Sequence, residues 1–177
     1  MNEILQKISK YPTHIVLGGN DTTGGLEQNV YELSHFCLFL KEKNIKTYTE
    51  VGIAKGLLLK FMRDEMNLEV QGITLEKLDI HQGLPVVYGD SKEPSIVEKS
   101  TFCDLYFIDG DHSYNGVKSD YENYKSKCKF MAFHDILGYR HCEGVAKFWE
   151  ELKRIYKHWE FIDSTPAIAS GIGVIEL

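Results

Sequence analysis

Two short clusters of acids and histidines carry the chemistry of this sequence. The first is Asp109-Gly110-Asp111-His112, which closes the apolar run Tyr106-Phe107-Ile108. Burying carboxylates beside such a run is costly unless they have partners. A divalent cation is one such partner, because hard cations take carboxylate oxygens. His112, three residues after Asp109, can act as an imidazole base beside that cation. The second cluster is His134-Asp135, which closes the apolar run of KFMAFHD. If the two runs are neighbouring strands, Asp109, His134 and Asp135 converge as a metal triad requires. Ordinary roles stay open for each residue: a helix cap at Asp111 or Asp135, a solvated turn at His112, a satisfied core histidine at His134. Together, at adjacent strand ends, those roles are harder to sustain.

A third stretch, Glu50-Val51-Gly52-Ile53-Ala54-Lys55-Gly56, follows an expected strand and opens an expected helix. Gly52 lets the backbone turn sharply and approach a ligand, and Gly56 allows close packing at the helix start. The free N–H groups of that helix then face the ligand. Glu50 adds a carboxylate at the carboxyl end of the strand. The same residues also suit a plain strand-to-helix connection. Gly89-Asp90-Ser91 ends a short strand and can hydrogen-bond a purine or simply turn the chain. His141-Cys142 fits no zinc spacing and reads as a surface loop.

The elements that must position these groups alternate strand and helix, so the sheet is mostly parallel and covered on both faces. LEQNVYELSHFCLFLKEKN carries a helical stripe of Leu33, Phe36, Cys37 and Leu40. KTYTEVGIAKGLLLKFMRDE turns from strand to helix; LEVQGITLE, PVVYGDS, TFCDLYFIDGDHS and KFMAFHD are further strands. YNGVKSDYENYKSK reads as a helix. EGVAKFWEELKRIYKHW reads as another, with Val145, Phe148, Trp149, Leu152 and Tyr156 on one stripe. EFIDS and GIGVIEL sit too close for a helical crossover and are expected to pair antiparallel. The fold class is α/β: a Rossmann-like three-layer sandwich around a seven-stranded, mostly parallel sheet with an antiparallel C-terminal strand. Residues 1–25 are expected to be an N-terminal arm ending in the polar stretch GGNDTTGG, a candidate lid; residues 26–177 are the main domain.

Composition narrows the partners. The chain has 177 residues, 43% hydrophobic and 26% charged, with a net charge of −6. Those values are those of a globular chain, not of a disordered one. An acidic balance disfavours nucleic acid, whose binding needs a basic surface. No apolar run approaches the roughly 18 residues of a membrane span. The N-terminus MNEILQKISK lacks the apolar segment of a signal peptide. The four cysteines include no CxxC pair, so a reducing cytoplasm is the expected compartment.

Taken together, the stretches GGLEQNVYEL, YTEVGIAKGLLLKFM, DLYFIDGDHSYNGVKSDYE and FMAFHDILG resemble the class I S-adenosylmethionine-dependent methyltransferases. More narrowly, they are similar to the small-molecule O-methyltransferase-like family that includes cephalosporin-hydroxylase-type and macrolide-sugar O-methyltransferases. The resemblance spans about residues 24–177, and DLYFIDGDHSY is its most specific part. It implies that Glu50, Gly52 and Gly56 surround the methionine part of S-adenosylmethionine and that Asp90, with Ser91, meets the adenine. It implies a divalent ion, usually Mg2+, on Asp109 and Asp135, and His112 as the base that takes a hydroxyl proton. His134 stands where relatives often carry a carboxylate. The second strand usually ends in an acid that binds both ribose hydroxyls; here Thr74 holds that position, with Glu76 two residues on. The expected activity is metal-assisted methyl transfer to a hydroxyl of a small molecule such as a sugar, polyketide or phenol. With no room for a separate substrate domain, specificity falls to the arm, to residues 136–146, or to a second subunit of a homo-oligomer. Two other classes stay in view: a cofactor-binding or assembly module of the same fold without methyl transfer, and a metal-dependent hydrolase or lyase. A nicotinamide dehydrogenase is disfavoured, since Gly52 and Gly56 do not make GxGxxG.

Overall fold

The computed structural model describes residues 1–11, 26–139, 141–165 and 170–177. Seven strands form one sheet: β1 (Thr47–Val51), β2 (Glu69–Thr74), β3 (Val86–Tyr88), β4 (Cys103–Ile108), β5 (Cys128–His134), β6 (His158–Phe161) and β7 (Ile172–Glu176). Their order is β3-β2-β1-β4-β5-β7-β6. Strands β1 to β5 run parallel, and β7 runs antiparallel to both β5 and β6. The closing pair expected from EFIDS and GIGVIEL is therefore present. Strand order reverses between β1 and β4, so a crevice opens above their carboxyl ends, where ligands bind in such sheets.

Both faces of the central strands are buried, which is why they read as unbroken apolar runs. Side chains alternate between the two faces. Leu105 and Phe107 of β4, with Phe130 and Ala132 of β5, pack under helices α1 (Asn2–Ile8), α2 (Val30–Glu42) and α3 (Leu57–Asp64). Tyr106 and Ile108, with Met131 and Phe133, pack against α4 (Pro94–Lys99), α5 (Tyr114–Tyr124) and α6 (Glu143–Leu152). Each fully buried large side chain contributes roughly 1.5–3 kcal/mol. Phe107, wholly buried in the strand that ends at Asp109, would cost about 3–5 kcal/mol as alanine.

Local signals set the helix starts that matter. Asn29 caps α2, its Oδ1 accepting from Tyr31 N at 2.8 Å and Glu32 N at 3.3 Å. Ser113 caps α5, accepting from Gly116 N at 3.0 Å. Helix α6 stops at Leu152, earlier than its stripe suggested, because residues 158–161 are needed as the edge strand β6. Trp149 Nε1 fixes that return by donating to Glu160 Oε1 at 2.6 Å. Tyr156 leaves the helix but still meets Tyr121 through their hydroxyls at 2.8 Å.

Residues 1–11 do not stand off as an arm. Ile4 and Ile8, one helical turn apart, are buried against the α2 and α3 layer, and Lys7 Nζ donates to Glu65 O at 2.6 Å. The stretch GGNDTTGG expected to form a lid lies outside the described residues. Among the described residues, no helix is long and apolar enough to cross a membrane.

Candidate functional site

Gly52 brings the first two pieces together. Its φ is +88°, a region that side chains avoid, and a Cβ there would fall inside the Asp109 backbone carbonyl. Gly52 N donates to Ile73 O and Asp109 N to Val51 O, each at 2.8 Å. The ends of β1, β2 and β4 are thereby pinned, with Asp109 directly beside the glycine turn. Gly56 begins α3 at φ +74° without a side-chain cap. The loop between them is held from outside by His81, whose Nε2 lies 2.7 Å from Ala54 O. His81 gave no signal in the sequence, since its partner is a main-chain oxygen 27 residues away.

Asp109 is the hinge of the site. Its Oδ1 lies 3.2 Å from His112 Nε2 and 3.2 Å from His134 Nδ1. Asp135 Oδ2 lies 3.2 Å from the same His112 nitrogen and 3.3 Å from the same His134 nitrogen. Two imidazoles thus sit between two carboxylates. His134 is on the buried side and His112 on the solvent side, their side chains 7% and 36% exposed. Asp135 reaches the cluster from a left-handed backbone, φ +59°, a strain of about 1–2 kcal/mol that its contacts must offset. Of Asp109-Gly110-Asp111-His112, Asp111 turns away. Its Oδ1 accepts from Ser113 N at 3.0 Å and its Oδ2 pairs with Lys92 at 3.3 Å.

The electrostatics follow from this packing. Burial pushes the Asp109 carboxyl up, but His134 and His112 outweigh it and hold it below its ordinary range. Asp135 behaves alike, burial being outweighed by hydrogen bonds from His112 and His134. Asp109 and then Asp135 raise His112 to about 10, so with these partners alone it is protonated at neutral pH. Burial lowers His134, yet the same two carboxylates outweigh it and the net shift is upward.

A cleft with about 290 Å3 of empty space, open to solvent, lies on the other side of Asp109. Gln28, Glu50, Gly52, Lys55 and Asp109 are among its walls. Glu50 is 2% exposed and accepts from the Tyr48 hydroxyl at 3.1 Å; burial and then the Asp109 charge push its pKa well up. Gln28 Nε2 donates to Asp109 Oδ2 at 3.3 Å, while its buried Oε1 has no hydrogen-bond partner among the described residues. These acceptors, two of them acidic, suit a cationic ligand group such as the ammonium and sulfonium of S-adenosylmethionine. Lys55 suits a ligand carboxylate.

Asp109, His134 and Asp135 also suit a divalent ion. One atom of each lies within 4.8 Å of the others. Adjacent ligands held about 2.1 Å from an ion lie about 3–3.4 Å apart, which matches the carboxylate–imidazole spacing here. Cys142 was set aside in the sequence as a loop residue, but it is buried and its Sγ meets Asp135 Oδ2 at 3.5 Å. His112, Asp135 and Cys142 form a second such group. Burial, then Asp135, push that thiol up to about 12.

The remaining expected site residues stand elsewhere on the sheet edge. Thr74 ends β2 half-buried and Glu76 is exposed. Asp90 Oδ1 accepts from Lys92 N at 2.9 Å, and Ser91 Oγ donates to Asp120 Oδ1 at 2.6 Å. None of these, nor Gly56, lines the cleft beside Asp109.

No protein-family model matches the chain, and no curated protein matches its sequence. Solved structures do match. MycE, a methyltransferase of the mycinamycin biosynthetic pathway in complex with Mg and S-adenosylhomocysteine, superposes with a TM-score of 0.64 at 11% identity. That match covers 98% of this chain and 54% of MycE, so the chain spans about half of that protein. An O-methyltransferase from Bacillus cereus in complex with S-adenosylhomocysteine gives a TM-score of 0.60 at 14% identity, over 99% of this chain and 90% of its own. The chain has the class I O-methyltransferase fold. TomG, an O-methyltransferase of tomaymycin synthesis from Streptomyces achromogenes in complex with S-adenosylmethionine, gives 0.59 at 12%, over 82% and 78% of the two chains. At these identities the likeness is one of fold. In this methyltransferase fold, both the Asp109 cleft and the His–Asp cluster lie at the strand ends flanking the switch in strand order.

Proposed function

We propose that this chain is an S-adenosylmethionine-dependent O-methyltransferase, assisted by a divalent cation on Asp109, His134 and Asp135. One observation carries the reading: Asp109 turns one oxygen to the His–Asp cluster and the other to the cleft beside Gly52. A cofactor held in the cleft and an acceptor held at the cluster would then share one carboxylate.

The residues divide the task. Glu50 and Gln28 Oε1 take the ammonium of the cofactor, and Lys55 its carboxylate. Thr74 and Glu76 are the groups nearest in sequence to the ribose position, with Asp90 and Ser91 for the adenine. A bound divalent cation supplies the charge that lowers the pKa of an acceptor hydroxyl. With a cation held on Asp109, His134 and Asp135, His112, 3.2 Å from Asp109 and Asp135, would be the imidazole placed to accept the hydroxyl proton.

The acceptor in this reading is a small hydroxylated molecule: a sugar, polyketide or phenol. Leu137, 46% exposed two residues beyond Asp135, offers apolar surface to it. The net charge of −6 argues against a nucleic acid acceptor. A second copy of the chain completing the acceptor side, and residence in the cytoplasm, belong to the same reading.

Thr74 favours one competing reading, a cofactor-binding module without methyl transfer, because a neutral hydroxyl replaces the expected acid. The deciding measurement is calorimetric titration with S-adenosylmethionine and S-adenosylhomocysteine, with metal and with chelator. Micromolar binding of both is expected, followed by turnover on hydroxylated acceptors. Absence of binding to either nucleotide would overturn the reading.

A further inference from the structure

The deepest imidazole of the cluster is wired in a way the methyl-transfer reading does not use. Glu32, fully buried near the start of α2, accepts from Asp163 N at 3.1 Å, Gly171 N at 3.0 Å and Ser170 Oγ at 3.3 Å. Two of those donors are main-chain amides, so the carboxylate is fixed in place. Ser170 Oγ also lies 3.1 Å from His134 Nε2. A hydroxyl has one proton. If Ser170 gives it to Glu32, it can only accept from His134, so Nε2 carries the hydrogen. In the neutral ring the lone pair is then on Nδ1, the nitrogen between Asp109 and Asp135. An imidazole whose far N–H is anchored through a hydroxyl to a carboxylate is the arrangement that orients metal-binding histidines.

We propose that His134 Nδ1 is a metal ligand, held in that tautomer by Ser170 and Glu32, and that the site takes a borderline transition metal rather than magnesium. The ion would be iron(II), cobalt(II) or zinc, with Mn2+ serving only as a spin probe of the site. This rests on the metal site of the reading above. Magnesium favours carboxylates, carbonyls and water; imidazole suits the later first-row ions. The Cys142 sulfur, 3.5 Å from Asp135 Oδ2, adds a softer donor beside the site, and it does not favour magnesium. All divalent sites bind later ions more tightly to some degree. The distinguishing claim is that the margin depends on the His134 nitrogen.

The test uses full-length, chelator-treated protein. Mn2+, Co2+ and Mg2+ are titrated calorimetrically, and bound Mn2+ is examined by pulsed electron spin resonance for a directly coordinated nitrogen. Wild type should bind Mn2+ and Co2+ well ahead of Mg2+ and show the nitrogen. His112→Ala should keep the nitrogen signal. His134→Asp should lose it and narrow the Co2+-to-Mg2+ affinity ratio by about 10- to 100-fold. Ser170→Ala, a milder change, should weaken Co2+ by about tenfold while Mg2+ binding barely moves. It serves also if His134→Asp does not fold. No coordinated nitrogen, a nitrogen lost in His112→Ala and kept in His134→Asp, or equal response of both metals to Ser170→Ala would overturn the proposal. So would failure to bind any of the three ions. S-adenosylmethionine titrated into the same samples separates the two claims. Cofactor binding with a nitrogen-free metal sinks the inference alone. A nitrogen-bound metal without cofactor binding sinks the methyl-transfer reading and leaves the metal assignment standing.

Discussion

The two ends of the site are built to different standards. At the β4 and β5 ends, four side chains lock together at 3.2–3.3 Å, and His134 is braced from behind by Ser170 and Glu32. At the β2 and β3 ends, Thr74 is neutral, Glu76 is exposed, and Asp90 and Ser91 spend their side chains on Lys92 N and Asp120. The first region is preorganised before any ligand arrives; the second is not. Preorganised charge belongs where charge changes in a reaction. In the proposed methyl transfer, that contrast assigns the chemistry to the Asp109 end and the weaker affinity to the β2 and β3 end.

The largest expected effect strikes the seam between them. Gly52→Val forces a side chain into the Asp109 carbonyl at φ +88°. The left-handed backbone costs about 1–2 kcal/mol and overpacking about 1–3 kcal/mol more. Urea unfolding should show a loss of that combined size, and nucleotide titration should show no binding. Unchanged binding would mean that the two ends are not joined through this turn. Next is His112→Ala, confined to the cluster. Turnover under saturating metal should fall about 10²–10⁴-fold, as for a lost general base, with nucleotide affinity unchanged. Near-wild-type turnover would remove His112 from that role.

The cluster was legible in the sequence because acids and histidines at the ends of apolar runs stand out against strands buried on both faces. The bracing behind it was not. Glu32 is one of two acids on an amphipathic helix, and Ser170 is a lone serine just before β7; Ser170 reaches both Glu32 and His134 because β7 runs back beside β5. Helix α1 did leave a signal, Ile4 and Ile8 one turn apart, hidden by the short polar segment around them. The helical period of α6 continued in sequence to Tyr156, but pairing with β7 claims residues 158–161 for the sheet. Tertiary demand overrides periodicity there.

The nucleoside end offers a gain rather than a loss. Thr74→Asp restores a carboxylate at the end of β2. Charge-assisted hydrogen bonds contribute about 1.5–3 kcal/mol, so S-adenosylmethionine should bind about 10- to 100-fold more tightly in calorimetry. The cluster variants should be unaffected by the change. Weaker or unaltered binding would show that the ribose does not approach β2, and the comparison between the two ends would lose its premise.

The smallest effect is on stability and lies beneath the same end. Asp120 is buried; its Oδ1 accepts from Ser91 Oγ, and its Oδ2 has no hydrogen-bond partner among the described residues. Burial raises its carboxyl from 3.8 to about 6, against the hydrogen bond from Ser91 and the charge of Lys92. Between pH 4 and 6 the folded chain therefore keeps a proton that the unfolded chain has released. Stability from this group falls as pH rises through that window, and the cost persists above it. Two units correspond to about 3 kcal/mol at most. Asp120→Asn keeps an acceptor for Ser91 and removes the charge, so it should stabilise the chain by about 1–2 kcal/mol at pH 7.5 and by almost nothing at pH 4. Urea midpoints for the two proteins should diverge as pH rises. Parallel curves would mean that Asp120 is already satisfied, and that the nucleoside end is as finished as the cluster.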